Sequence, residues 1–134
     1  MKKVAYRPPE IPSTTLPLSA GIRVGNLVFA SGQVGDKDRK TGQALTTMEE
    51  QTREAMERLQ LILEAGGSSL KDVVKVTVFL TRKEDFTKMN EVYRSFFPVD
   101  PPARSTLEVS ALMSPSLLVE IEAMAVIPDG HEHG

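Results

Sequence analysis

The chain has 134 residues, and its sixteen basic and eighteen acidic side chains give a formal net charge of -2 at pH 7. This length fits a single domain over residues 1–134 with one hydrophobic core, and the lack of a basic field disfavours nucleic acid as a partner. Because the chain contains no cysteine, a disulfide framework, a thiolate nucleophile and a cysteine-ligated metal are excluded.

The N-terminal segment is rich in proline and has little periodicity, so we predict an extended arm over residues 1–15 that lies on the domain or on a neighbour. Charged residues and prolines follow Met1-Lys2-Lys3, where a signal peptide would require an apolar run. No segment of the sequence is long and apolar enough to cross a membrane. We therefore expect a cytoplasmic protein without a membrane partner.

A β-hairpin is the first predicted element. Ile22 and Val24 precede Gly25-Asn26, and an apolar run from Leu27 to Ala30 follows. Glycine and asparagine tolerate the positive φ that a two-residue hairpin turn requires. The second strand is predicted to end at Ser31-Gly32-Gln33.

The next predicted element is an amphipathic helix. Thr47 with Glu50 three residues later is typical of a capping box at a helix start. Helical spacing predicts one apolar face made of Met48, Thr52, Ala55, Met56, Leu59, Ile62 and Leu63. It predicts an opposite, solvated face made of Glu49, Arg53, Glu57, Arg58 and Glu64. Gly66-Gly67 provides a left-handed stop.

A strand over Val73–Leu80 and a second helix from Glu84 to Phe97 follow. Both faces of the strand are partly apolar, which predicts a central position; one face carries Val74, Val76, Val78 and Leu80. The apolar stripe of the helix comprises Phe86, Met89, Tyr93 and Phe97, and it includes Asn90. This amide either bonds a backbone edge or belongs to a site, because a buried polar group needs a partner in both cases.

Strands from Arg104 to Leu112 and from Leu117 to Val126 complete the order β-β-α-β-α-β-β. The period of two places Glu120 and Glu122 on the same face of the last strand. The order predicts an α+β domain, a single mixed sheet with two helices packed on one face. Because the helices cover one side only, we expect self-association to cover the other.

The chemistry available to the chain is narrow. The only histidines are His131 and His133, so a Ser-His-Asp triad is excluded. The sequence also lacks the two phosphate-binding glycine motifs, Gly-x-x-x-x-Gly-Lys and Gly-x-Gly-x-x-Gly. The two histidines lie in a segment, residues 128–134, that we predict to be a flexible tail, although a metal site there is an alternative. Three candidates remain, which are Arg104 as an anion clamp, Glu120 as a proton handler and Ser31 as a hydrogen-bond donor. The alternative for Arg104 and Glu120 is a structural ion pair, or strand faces that simply meet water.

Several motifs together resemble one known family. They are Pro102-Ala103-Arg104-Ser105-Thr106-Leu107, Val119-Glu120-Ile121, the run from Gly25 to Gln33, Ala65-Gly66-Gly67, and Asn90-Glu91-Val92-Tyr93. In this combination the chain is similar to the reactive-intermediate deaminase family, the RidA or YjgF-like proteins. The resemblance extends from about Leu16 to Val126.

This resemblance implies a chorismate-mutase-like fold in a homotrimer with sites between subunits. It implies hydrolysis of reactive enamines and imines, such as 2-aminoacrylate, to 2-oxo acids and ammonia, as in a 2-iminobutanoate/2-iminopropanoate deaminase. Arg104 would bind the substrate carboxylate and Glu120 would position the attacking water, without any cofactor or metal. The resemblance also implies that Ser31, Gly32, Ala103 and Asn90 shape the pocket.

One position departs from the family pattern. Many members carry a pocket tyrosine where this chain has Leu18, within Pro17-Leu18-Ser19-Ala20-Gly21. Leu18 offers no hydroxyl, so either the substrate range shifts or another group supplies that donor. The alternatives are a non-catalytic trimer that binds small carboxylates or acts as a chaperone-like holdase, and a ribonuclease or translation inhibitor, which the charge and sparse aromatics disfavour.

Overall fold

One six-stranded mixed β-sheet organises the protein. The computed structural model describes residues 1–129, and its strands are β1 (Val4–Tyr6), β2 (Gly21–Val24), β3 (Leu27–Gln33), β4 (Val73–Leu80), β5 (Ala103–Glu108) and β6 (Val119–Val126). Their order across the sheet is β1-β2-β3-β6-β4-β5, in which only β4 and β5 run parallel. The single mixed sheet is thereby confirmed, as is the central position of β4. The predicted tail with His131 and His133 lies outside the described residues, apart from its first two positions.

Two helices pack against one face of this sheet: α1 (Met48–Ala65) and α2 (Phe86–Phe96). The capping box of α1 is confirmed, because the Glu50 N–H donates to the Thr47 hydroxyl and the Thr47 N–H donates to the Glu50 carboxylate. Gly67 takes the left-handed conformation, with a φ of 92°, and the chain then turns towards β4.

The core lies between the helices and the sheet. Along β6 every second residue is buried, so the side chains of Val119, Ile121, Ala123 and Ala125 face the helices. Glu120 and Glu122 therefore share the opposite face, and no helix within residues 1–129 covers that face. We call this second side the open face; it also carries Phe29, which is 38% exposed.

The N-terminal arm contains a strand that the sequence analysis did not predict. Val4–Tyr6 pairs with β2 at the edge of the sheet, and the Tyr6 hydroxyl donates to the Ile62 carbonyl of α1. The arm therefore lies on its own domain here. A three-residue strand has too few positions for an alternating pattern to be visible in the sequence.

Two face assignments in the sequence analysis are wrong. Val74 does not share the face of Val76; it is 42% exposed, whereas Val73 is buried. The pairing of β4 with β6 shifts between Val73 and Lys75, and such a bulge turns the preceding residue to the other side. Phe86 is likewise not in the core, since it is 43% exposed at the start of α2.

Arg58 was also expected in solvent and is instead buried. Its Nε–H donates to the Glu54 carboxylate at 2.9 Å, and a terminal N–H donates to the Lys37 carbonyl at 2.7 Å. Arg39 binds the same Glu54 carboxylate from the loop before α1. This ion-pair cluster holds the loop over a side of α1 that helical spacing alone assigns to water.

The remaining differences concern element ends. A short 3-10 turn at Lys83–Asp85 precedes α2, which ends at Phe96, one residue before the predicted Phe97. Strand β5 ends at Glu108, not at Leu112, and β6 begins at Val119, not at Leu117. Within residues 1–129, no helix has the length and apolar content of a membrane span.

Gln51 is a buried polar residue that ties α1 to the start of β6. Its side-chain N–H groups donate to the Leu45 and Ser116 carbonyls, and its side-chain oxygen accepts from the Leu118 N–H, each at 2.9 Å. Gln51→Leu keeps the size but leaves three backbone groups without this partner. We expect the free energy of unfolding to fall by about 2–4 kcal/mol in a denaturant titration.

Gln60→Leu is the matched control on the same helix, because that amide bonds only the Glu64 side chain at the surface. The control should change the free energy of unfolding by less than about 0.5 kcal/mol. Equal effects of the two substitutions would contradict the role assigned to Gln51.

Candidate functional site

Arg104 lies on the edge strand β5 and faces the helices. It is in register with Val76, which is 1% exposed on the helix-covered side of β4. The carbon of its guanidinium lies 4.7 Å from the centroid of the Tyr93 ring and 5.8 Å from that of the Phe86 ring. Both aromatic residues come from α2, so the position of Arg104 depends on how α2 packs against the sheet edge.

A cavity of about 310 Å³ opens beside this guanidinium. Its lining consists of Asn90, Tyr93, Arg94, Phe97, Pro101, Pro102 and Arg104. The cavity therefore brings together Arg104 and Asn90, two of the residues singled out from the sequence. Two guanidinium groups and an amide in one lining favour a small anion, because N–H donors match carboxylate oxygens.

Tyr93 is the aromatic residue closest to Arg104. Its hydroxyl is buried and has no hydrogen-bond partner within residues 1–129. Burial raises the pKa of this hydroxyl, and the Arg104 charge opposes the shift. The neutral phenol is therefore the stable form near neutral pH. The sequence analysis placed Tyr93 and Phe86 in a core stripe and did not identify them as neighbours of Arg104.

Glu120 lies on the open face. It is opposite Phe79 in the pairing of β6 with β4, and its neighbour Ile121 is fully buried on the helix side. Burial raises the pKa of the Glu120 carboxyl, and the Glu122 charge on the same face raises it further. A carboxyl with a raised pKa can exchange a proton with water nearer to neutral pH than an ordinary glutamate can.

The Glu120 carboxylate packs directly against Gly32. A Cβ atom added at Gly32 would overlap a carboxylate oxygen of Glu120. The backbone approaches the carboxyl because Gly32 has no side chain, where the pairing of β3 with β6 shifts between Ala30 and Gln33. Gly32 and Glu120 are thus brought together by this irregularity.

Gly32→Ala is therefore expected to displace the Glu120 carboxylate. Because that carboxylate ends a flexible side chain, the free energy of unfolding should fall by only about 1 kcal/mol, at the low end of overpacking costs. Denaturant titration measures this loss. In a Glu120→Ala background the overlap disappears, so the same substitution should cost less than half as much. Equal costs in the two backgrounds would show that the overlap with Glu120 is not the cause.

Ser31 precedes Gly32 on β3 and is joined to the segment that contains Leu18. The Ser31 hydroxyl donates to the Ser19 carbonyl at 2.6 Å, next to Leu18, whose side chain is 51% exposed. Ser31 also lines a cavity of about 230 Å³ on the open face, together with Glu122. Both donors of Ser31 already have acceptors, because its backbone N–H donates to the Ala20 carbonyl at 2.9 Å.

The predicted site residues thus fall into two groups on opposite sides of the sheet. Arg104 and Asn90 share the cavity beside α2, with Ala103 exposed next to Arg104 on the edge strand. Glu120, with Gly32 and Ser31, lies towards the open face. Within one chain, a small molecule bound to the Arg104 guanidinium does not also meet the Glu120 carboxyl.

Residues 1–129 contain no group of three or more histidine, cysteine, aspartate or glutamate residues arranged to hold a metal ion. The metal alternative for His131 and His133 concerns residues outside that range.

Comparison with known proteins places this architecture in a family. The family model described as Endoribonuclease L-PSP matches residues 9–127. A RutC family protein of Pyrococcus horikoshii is 44% identical over 126 residues, which cover 93% of this chain and 98% of that protein. A protein of Dermatophagoides farinae named 2-iminobutanoate/2-iminopropanoate deaminase is 35% identical over 119 residues, 89% of this chain and 92% of the relative.

A solved structure agrees with both matches. The crystal structure of E. coli TdcF with bound serine superposes with a TM-score of 0.84 at 34% identity, covering 92% of this chain and 98% of TdcF. The family model, these relatives and the shared chorismate-mutase-like fold lead to one assignment. The chain belongs to the Endoribonuclease L-PSP family, the YjgF or RidA group that includes the reactive-intermediate deaminases.

Proposed function

We propose that this protein hydrolyses small enamines and imines that carry a carboxylate, of the 2-aminoacrylate or 2-iminopropanoate type, to 2-oxo acids and ammonia. The observation that carries the proposal is the Arg104 guanidinium at the wall of a cavity that also contains Asn90 and Arg94. Serine bound to TdcF, a small amino acid with a carboxylate, supports the same ligand class. The named activity of the 35% identical relative supports the reaction.

The proposed chemistry needs orientation and a proton source. Arg104 holds the substrate carboxylate with two parallel hydrogen bonds. An enamine first takes a proton at its methylene carbon and gives one up from nitrogen, which yields the imine. A water oriented by the Glu120 carboxylate then adds to the carbon of the C=N bond and gives a carbinolamine. Loss of ammonia, with a proton returned to nitrogen, breaks the C–N bond and leaves the 2-oxo acid. The uncatalysed reaction is already feasible, so fixing the reacting groups close together provides most of the acceleration.

We propose further that each site is completed by a second copy of the chain in a homotrimer that works in the cytoplasm. Arg104 and Glu120 face opposite sides of the sheet, so one chain cannot present both to a small substrate. The open face carries apolar Phe29 beside Lys75 and Glu122, and a neighbouring copy would cover it. An edge strand such as β5 can bring Arg104 to the open face of that neighbour.

The activity test generates 2-aminoacrylate from serine with a pyridoxal-phosphate dehydratase and follows pyruvate release. The protein should accelerate pyruvate release above the rate measured with the dehydratase alone. No acceleration at any protein concentration, with small carboxylates still bound, would leave the non-catalytic binding protein as the function. Leu18 favours that second candidate, because its exposed aliphatic side chain has no hydroxyl to donate.

Mixing two inactive variants tests the shared site. Arg104→Ala and Glu120→Gln subunits are unfolded together, refolded and assayed. If each site takes Arg104 from one copy and Glu120 from another, random assembly restores about a quarter of the native sites. If both residues came from the same copy, every site would lack one of them and the mixture would stay inactive.

A further inference from the structure

We infer that Tyr93 and Phe86 act as positioning residues for Arg104, holding its guanidinium by its flat face so that its N–H edge is ready for a substrate carboxylate. The inference rests on the proposed function and adds two residues to that site. It concerns these two aromatic side chains, which lie about two turns apart on α2 and which we call the aromatic bracket.

Arg104 has no ion-pair partner within residues 1–129 that would orient it. The ion pairs there involve Arg39, Arg58 and Arg82 instead. An arginine side chain has many rotamers, and ordering it on binding costs free energy. The two rings at 4.7 Å and 5.8 Å are its contacts of defined geometry.

Phe86 is unusually exposed for an aromatic residue on the apolar stripe of α2. It is 43% exposed, whereas its stripe partners Met89 and Tyr93 are 0% and 6% exposed. Burial in the core therefore does not account for a phenylalanine at this position. A cation over its ring does account for it, because the ring face is negative and attracts a guanidinium.

Tyr93 is the buried residue of the pair. Its buried hydroxyl lies near the Arg104 guanidinium without a well-aligned hydrogen bond in the described part of the chain, so the ring makes the contact of defined geometry. Phe97 packs against that ring, with a centroid distance of 4.9 Å, and fixes it from the side of the core. The bracket thus has one rigid member, Tyr93, and one exposed member, Phe86.

Stacking suits an arginine whose task is to bind a ligand. A guanidinium that packs flat on an aromatic ring is covered on a face of its plane, whereas its N–H donors point outward within that plane. The donors remain free for two parallel hydrogen bonds to a carboxylate. A carboxylate partner from the protein would have occupied the same donors.

Phe86 is substituted first, because a smaller side chain at a 43% exposed position leaves no cavity in the core. Phe86→Leu is compared with Phe86→Tyr, which keeps the ring, and with Met113→Ala at a 94% exposed site away from the bracket. For Phe86→Leu we expect KM for 2-aminoacrylate to rise about threefold to tenfold, with kcat changed less than twofold. Phe86→Tyr and Met113→Ala should leave KM within about twofold of the wild type.

Tyr93 is tested by removing the hydroxyl and then the ring. Tyr93→Phe should keep KM within about twofold, since the hydroxyl has no partner. Tyr93→Leu should raise KM at least as much as Phe86→Leu does. Thermal unfolding of each variant identifies any that fail to fold, and Phe86→Leu decides the matter if Tyr93→Leu is one of them.

The affinity for pyruvate, measured by NMR titration, distinguishes a failure of this inference from a failure of the proposed function. Arg104→Ala should abolish pyruvate binding, and Phe86→Leu should weaken it about threefold to tenfold. If Arg104→Ala binds pyruvate as the wild type does, Arg104 is not the carboxylate site and the proposed function fails. If Arg104→Ala loses binding but Phe86→Leu keeps both affinity and KM unchanged, the aromatic bracket is overturned and the proposed function stands.

Discussion

Arg104→Ala is expected to lower kcat/KM for 2-aminoacrylate by about a hundredfold to ten-thousandfold. Two charge-assisted hydrogen bonds to one carboxylate, each contributing about 1.5–3 kcal/mol, account for a loss of that size. Arg104→Lys should recover little of it, because an ammonium keeps the charge but cannot form the planar pair of bonds. The pyruvate-release assay with each variant measures the effect.

Arg94→Ala is the matched control, because Arg94 lines the same cavity but stacks on neither ring of the bracket. It removes the same charge, and we expect it to lower kcat/KM by less than about threefold, as a surface charge does. If Arg94→Ala and Arg104→Ala reduced the activity equally, the general positive charge of the cavity would explain binding and the bidentate role would be lost. A fully active Arg104→Lys would contradict that role as well.

Glu120→Gln is expected to lower kcat by about a hundredfold to ten-thousandfold, the range for loss of a group that handles protons. Because burial and Glu122 raise the pKa of the Glu120 carboxyl, wild-type kcat should begin to fall on acidification at a higher pH than an ordinary glutamate would cause. The residual rate of Glu120→Gln should lack this fall. A pH profile of kcat for both proteins measures the difference. In Glu122→Gln the fall should move to lower pH, because one cause of the raised Glu120 pKa is removed.

Glu120→Gln should also stabilise the folded protein at neutral pH. The folded-state pKa of Glu120 lies above its unfolded value, so ionisation favours the unfolded state. That penalty is absent below the unfolded pKa, near about 4.3, and is complete above the folded pKa. We therefore expect Glu120→Gln to have a higher melting temperature than the wild type at neutral pH, with a difference that shrinks on acidification. A melting temperature lower than that of the wild type at neutral pH would contradict the raised pKa.

These predictions also show where sequence reasoning reached its limit in the candidate site. Arg104 and Glu120 stand out in the sequence because each is a charged residue within an otherwise apolar, strand-like run. The structure then brings Arg104 to the same cavity as Asn90. Alternation along each strand relates residues of that strand only. It does not tell which face of β5 lies on the same side of the sheet as a given face of β6. In the structure Arg104 and Glu120 lie on opposite sides of the sheet.

The sequence by itself determined the features that depend on residues close together in the chain. The Gly25-Asn26 turn, the Thr47 capping box and the face shared by Glu120 and Glu122 follow from positive φ, from exposed helix N–H groups and from the period of two. Each involves at most a few neighbouring residues. Local physical chemistry is sufficient to specify them.

Only the tertiary structure decided the features that depend on distant segments. The bulge at Val74, the burial of Arg58 beneath its loop, and the stacking of Phe86 on Arg104 each require two parts of the chain that meet through the fold. Each feature is stabilised by hydrogen bonds or contacts between residues far apart in the sequence. The local spacing around one residue does not identify its distant partner. Folding therefore turned a solvated arginine into a buried one, and an expected core phenylalanine into an exposed neighbour of the candidate site.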